Sequence, residues 1–195
     1  MKYILAGLAL ITVSASGAAY AANPLSYSYL RVGYTTQDSD YFNDKAKGYG
    51  LEASWQFGEN IYLVGSANHL DFDDLPGEEH IYSVGIGYEE NPHGNTSAYL
   101  QARAFRETAD FGPSALGEKT DRWVRLSWGF RTLVKKSSPW EIDGGVFYDA
   151  KENFGDRGFG GWVGIGAVWS HLGFQVAASH SASRDTVRVN LSWFF

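Results

Sequence analysis

From residue 27 onward, apolar and polar residues alternate one by one rather than every three or four positions. In the stretch 186–195, Val187, Val189, Leu191, Trp193 and Phe195 share one parity, and Arg188, Asn190 and Ser192 the other. A period of two sustained over that length is the signature of a β-strand with two unlike faces. The same rule sets Tyr49, Leu51, Ala53, Trp55 and Phe57 against Gly50, Glu52, Ser54 and Gln56. It sets Tyr82, Val84, Ile86 and Tyr88 against Ser83, Gly85 and Gly87, and Val124, Leu126, Trp128 and Phe130 against Arg125, Ser127, Gly129 and Arg131. It continues through 140–149 and 159–169, and no segment holds a helical period for three turns.

The pattern predicts ten strands, at about 27–36, 47–57, 61–70, 80–89, 96–106, 121–134, 140–150, 158–169, 172–180 and 186–195. Stretches 61–70 and 96–106 alternate least cleanly: the first is apolar on both faces, and the apolar face of the second is mostly Ala. Misreading that pair would reduce the count to eight. Connections at 58–60, 90–95, 135–139 and 170–171 are short, whereas 37–46, 71–79, 107–120, 151–157 and 181–185 are mostly longer. Short turns at one rim and longer loops at the other are expected of an up-and-down transmembrane β-barrel with its long loops outside.

Composition decides which face meets lipid. The chain is 44% hydrophobic and 16% aromatic, only 19% charged, and contains 23 Gly and no Cys. A water-soluble barrel would have to enclose thirteen Trp, Tyr and Phe residues of the apolar face, Trp55, Trp128 and Trp193 among them, and expose a glycine-rich face, although glycine weakens strands unless backbone packing requires it. The opposite sidedness puts aromatic girdles at two membrane interfaces, aliphatic residues between them, and small and charged residues inside. Arg31, Glu52, Arg103, Arg125, Arg131, Glu141, Asp143 and Arg188 then form a lumen charge network. The net charge of −6 argues against a nucleic-acid partner.

Residues 1–21 read as a secretory signal peptide: Lys2 is the basic region, Tyr3 to Val13 the apolar run, and Ala19-Tyr20-Ala21 the cleavage site. The run is shorter than the ~20 residues a spanning helix needs. Removal of Lys2 takes the net charge from −6 to −7, and residues 22–195 form the barrel domain. The final stretch resembles the C-terminal strand of small outer-membrane β-barrel proteins, which finish on an aromatic residue after alternating apolar ones. Val187, Val189, Leu191, Trp193 and Phe195 match, and Phe194 is an aromatic the pattern does not use. The resemblance implies an outer-membrane location, contact with outer-membrane lipid and lipopolysaccharide, and passage through the export translocon and the barrel-assembly machinery. It implies no single activity, because that family includes pores, adhesins, enzymes and structural barrels.

The lumen charges read as a salt-bridged plug in a structural or interaction barrel, or as the lining of a narrow porin-like channel. Sixteen of the 22 acidic residues lie in or beside the longer loops, among them Asp71, Glu78, Glu79, Glu107, Asp149 and Asp185, and read as a solvated rim. An adhesin would want aromatic or basic protrusions there. No cofactor or metal site is assigned. His69 and His80 flank segment 71–79 and are the pair a hairpin would bring together as transition-metal ligands. The one enzymatic alternative is a lipopolysaccharide acyl hydrolase at the outer rim. Small barrels of that kind resemble this chain in size and use His-x-Ser on one strand face, but Ala182 stands two residues after His180, and Ser181 falls on the opposite face.

Overall fold

The computed structural model describes residues 27–39, 44–90, 95–111, 117–134, 139–151, 158–182 and 184–195. The proposed signal peptide lies outside them. Ten strands form: β1 (Tyr29–Ser39), β2 (Asp44–Phe57), β3 (Ile61–Phe72), β4 (Glu78–Glu90), β5 (Thr96–Asp110), β6 (Glu118–Leu133), β7 (Trp140–Lys151), β8 (Gly158–Trp169), β9 (Leu172–Ser181) and β10 (Arg184–Phe194). Each pairs antiparallel with its sequence neighbours, and β1 pairs with β10 from Tyr29↔Phe194 to Ser39↔Arg184, closing the barrel. The eight-strand count is excluded. Both weakly patterned stretches are full strands, and β3 is apolar on both faces because Tyr62 and Val64 pack inside while Ile61 and Leu63 face out.

The strands are joined at one rim across 58–60, 91–95, 134–139 and 170–171, here the turn rim, and at the other, the loop rim, across 40–43, 73–77, 111–117, 152–157 and 182–183. Because the strands extend into the latter segments, the expected difference in length between the two sets nearly vanishes. At the turn rim Gly58 adopts φ 72°, and Asn60 hydrogen-bonds by backbone and side chain to Glu89. Ser170 takes φ 54° in the two-residue link between the paired Trp169 and Leu172, as primed hairpin turns require.

The strands run further toward the loop rim than the alternation suggests. Asp38, Asp44, Asp71, Glu78, Glu79, Glu107, Asp110, Glu118, Asp121, Asp149 and Asp185 all lie within strands. Asp73 and Asp74 lie in the β3–β4 connection, and Asp40, Glu152 and Asp156 lie outside the described residues. The solvated-rim reading therefore fails for Asp44, Glu79, Glu107, Asp121 and Asp149, which are buried.

The outside of the wall is apolar. Val84 is 64% exposed and Trp128 59%, and Leu51, Leu63, Ile86, Leu100, Leu126, Val163, Ile165 and Leu191 are likewise uncovered. A continuous apolar exterior is a membrane surface rather than a water surface. Ring pairs mark both edges: Tyr34–Tyr49 and Tyr148–Phe159 toward the loop rim, and Trp55–Phe195 at the turn rim.

The inside is not uniformly small and charged, as the alternation implied. Tyr27, Tyr62, Val64 and Tyr99 cluster near the turn rim, beside Tyr29, Val168 and Phe194. Ala46, Leu70, Phe72, Ile81, Ala109, Phe111 and Trp123 cluster toward the loop rim. Inward glycines make room for these rings: a Cβ on Gly87 would fall 2.1 Å from the Tyr62 ring, and one on Gly145 2.4 Å from Trp162. In lipid vesicles, Leu126→Arg at the middle of the outer face should lower unfolding free energy by about 2–4 kcal/mol, and Val134→Arg at the turn rim by about 0–1, as read by urea titration.

Candidate functional site in the barrel interior

Every residue of the expected charge network faces the interior, and three separate groupings emerge. At the turn rim the Arg131 Nη2 donates to Glu141 Oε2 at 2.8 Å, both side chains almost fully covered. The Arg131 guanidinium lies over the rings of Tyr27 and Phe194, 5.4 and 5.7 Å from their centroids. Tyr27 stacks on Tyr62 at 4.6 Å and meets Tyr99 edge-on at 5.7 Å. Burial pushes the pKa of its hydroxyl above the ordinary tyrosine value. Asp143 sits near Arg131, Arg31 and Gln175, with its Oδ1 buried and without a hydrogen-bond partner.

The waist is a shared-carboxylate assembly. Glu52 accepts from Arg103 Nη1 at 2.8 Å, from Arg31 Nη1 at 3.4 Å and from the Tyr29 hydroxyl at 2.8 Å. Arg103 Nη2 also donates to Ser66 and Ser83, on β3 and β4, at 2.9 and 2.6 Å. Arg31 Nε reaches Ser192 on β10 at 3.0 Å. One carboxylate thus ties β2 to β1 and β5, and its two arginines extend the tie to β3, β4 and β10. Arg125 does not join this group. It forks onto Asp149 with two 2.7 Å hydrogen bonds and stacks on Phe147 at 3.7 Å.

Arg188 points into the same space beside Arg31, Arg103 and Arg125, yet has no hydrogen bond or ion pair among the described residues. Four guanidinium groups here face two carboxylates, Glu52 and Asp149, leaving an excess of two positive charges. The groups line a cavity of about 240 Å³ that runs from Tyr27 to Arg184.

Toward the loop rim a third grouping was not anticipated. Arg184 bridges Glu79, at 3.1 Å, and Glu107, and Gln37 donates to the other Glu79 oxygen at 3.0 Å. Parity carries the missing signal: once β4 is extended, Glu79 shares the inner face with Ile81 and Ser83, and Asp149, already inside the predicted strand 140–150, shares it with Phe147. Tyr27 and Phe194, both throat residues, also escaped the sequence reading. Val187, Val189, Leu191, Trp193 and Phe195 all face outward, as their alternation requires.

The hydrolase alternative lacks its assembly. His180 is exposed and pairs with Asp185, while the Ser181 hydroxyl donates to the Arg184 carbonyl at 3.2 Å. Base and hydroxyl sit on opposite faces of β9. On the outer surface, His69 and His80 do meet across β3 and β4, with ring centroids 4.8 Å apart.

No protein-family model matches this chain, and no curated protein sequence does. Solved outer-membrane barrels do match in fold. The beta domain of the Bordetella autotransporter BrkA is 11% identical with a TM-score of 0.50, the match covering 86% of this chain and 98% of that one. The KdgM porin is 12% identical at TM-score 0.46, over 85% and 99%. The N-terminal β-barrel domain of Pseudomonas aeruginosa OprF is 7% identical at TM-score 0.46, over 86% and 98%. At such identities the likeness is one of architecture: a closed antiparallel barrel of outer-membrane type.

The interior geometry predicts opposite outcomes for two changes. Glu141→Gln, which breaks the buried Arg131–Glu141 ion pair, should cost about 3–5 kcal/mol, whereas Arg188→Met, which removes a cation from the positively charged waist, should be neutral or stabilising. Equilibrium unfolding by guanidinium in detergent micelles measures both.

Proposed function

We propose that this chain is an outer-membrane barrel with a structural or surface-interaction role, and that its lumen is a closed, braced interior rather than a through-channel. The observation that carries this reading is the turn-rim throat, where Tyr27, Tyr62, Tyr99, Phe194 and the Arg131–Glu141 pair pack across the lumen. The outer-membrane location is supported by the apolar exterior, the aromatic edges and the barrel architecture, with the loop rim facing the medium. The lipopolysaccharide-hydrolase reading is not favoured, because His180 pairs with Asp185 and the Ser181 hydroxyl with the Arg184 carbonyl, on opposite faces of β9.

A narrow porin-like channel is the second reading, favoured by the cavity and its excess of arginine. Planar-bilayer recording separates the two. The folded wild type should give no single-channel steps, while Tyr27→Ala combined with Tyr62→Ala should open the throat and produce them. Steps from the wild type would transfer the function to conduction.

Residues 1–21 are the export signal in this reading, and the chain passes through the translocon and then the barrel-assembly machinery to reach a bilayer whose outer leaflet is lipopolysaccharide. N-terminal sequencing of the protein from the membrane fraction should begin at Ala22.

A further inference from the structure

Outside the lumen, at the loop rim, the β3–β4 hairpin gathers four metal-ligating side chains on the outer surface. His69 and His80 are directly paired across the two strands, and Asp71 and Glu78 form the next outward-facing pair toward the connection. Their ladder partners fix the register, so the four are held on regular backbone rather than on a loop.

The distances fit a chelate. Glu78 lies between the two imidazoles, with Oε1 3.2 Å from His80 Nε2 and Oε2 3.9 Å from His69 Nε2. Asp71 Oδ1 lies 3.6 Å from His69 Nε2. Donors bound tetrahedrally to Zn²⁺ at 2.0–2.2 Å stand about 3.4 Å from one another. The ligand atoms of His69, Glu78 and His80 already lie within 4.8 Å of one another, so small side-chain rotations bring them onto one ion.

A second, electrostatic observation points the same way. Asp71 and Glu78 are like charges directly opposite one another, an arrangement that destabilises an antiparallel pair. Asp110 opposes Glu78 from the other side, on β5. The lysine across the ladder from Asp71, Lys47, has its ammonium 2.7 Å from Asp73. A cation between the two histidines would therefore meet clustered carboxylates as well as nitrogen donors. Two imidazoles select a borderline transition metal over calcium or magnesium, which take oxygen.

We propose that His69, Glu78 and His80, with Asp71 as the fourth donor, bind one divalent transition-metal ion of the zinc class on the external rim. The ion pins β3 to β4 beneath the Asp73–Gly77 connection. This site is independent of whether the lumen conducts.

The test uses the full chain folded in detergent, stripped with a chelator and checked for heat-modifiable gel migration. Titration calorimetry with ZnCl₂ should show one equivalent bound at micromolar affinity, and the exposed double variant His69→Asn/His80→Asn, folded by the same criterion, should bind at least tenfold more weakly. Substituted Cu²⁺ should give an electron paramagnetic resonance spectrum with coupling to two nitrogens. No zinc binding, equal affinity in the double variant, equal affinity for CaCl₂, or a copper spectrum without nitrogen coupling would each overturn the proposal.

Discussion

Hydrocarbon offers no hydrogen bonds, so every backbone amide and carbonyl that crosses it must be satisfied within the protein. All else in this molecule follows from that demand. Ten strands meet it only because β1 and β10 pair along eleven registered positions and leave no edge. Once the sheet is closed, its outside must be apolar to sit in lipid, and its inside becomes a narrow tube that has to be filled.

The filling is where this chain is particular. Its interior combines aromatic packing at the turn rim, shared carboxylates at the waist, and an Arg184 bridge among apolar side chains toward the loop rim. The ionic groups are most persuasive as cross-bracing. Glu52, Arg31 and Arg103 together touch residues on six of the ten strands, so a shear between neighbouring strands would break several charge-assisted bonds at once. Arg188 stands apart from this logic. It brings charge to the waist and, among the described residues, no bond to the wall, and it adds to the cavity's excess of positive charge.

The fold was legible because lipid and lumen impose a strict alternation on one backbone period. Trp193 and Ser192 could not exchange faces without placing a large ring inside and a hydroxyl in hydrocarbon, so parity alone set sidedness. The interior was less legible, because parity names a face and not a height or a partner. Glu52 reached Arg103 across three strands of barrel, and no sequence spacing encodes that. Arg184 and Glu79 were missed for a different reason: local polarity made their segments look like loops, and the strands continued through them. The inward aromatics were hidden because Tyr27 and Phe194 carry large rings on the parity otherwise held by small and charged residues, Phe194 being the inner neighbour of two outer rings.

That last pair of neighbours ties two properties of the molecule together. Phe194 turns inward against Tyr29 and is 1% exposed, while Phe195 beside it lies on the outer skin against Trp55. Tyr29 is also the residue that Phe194 faces across the zipper between the first and tenth strands. With the lumen closed as proposed, sealing of the bore and fastening of the cylinder are one event: a barrel unzipped at this seam has also lost its stopper, and a barrel that has closed sideways has already corked itself.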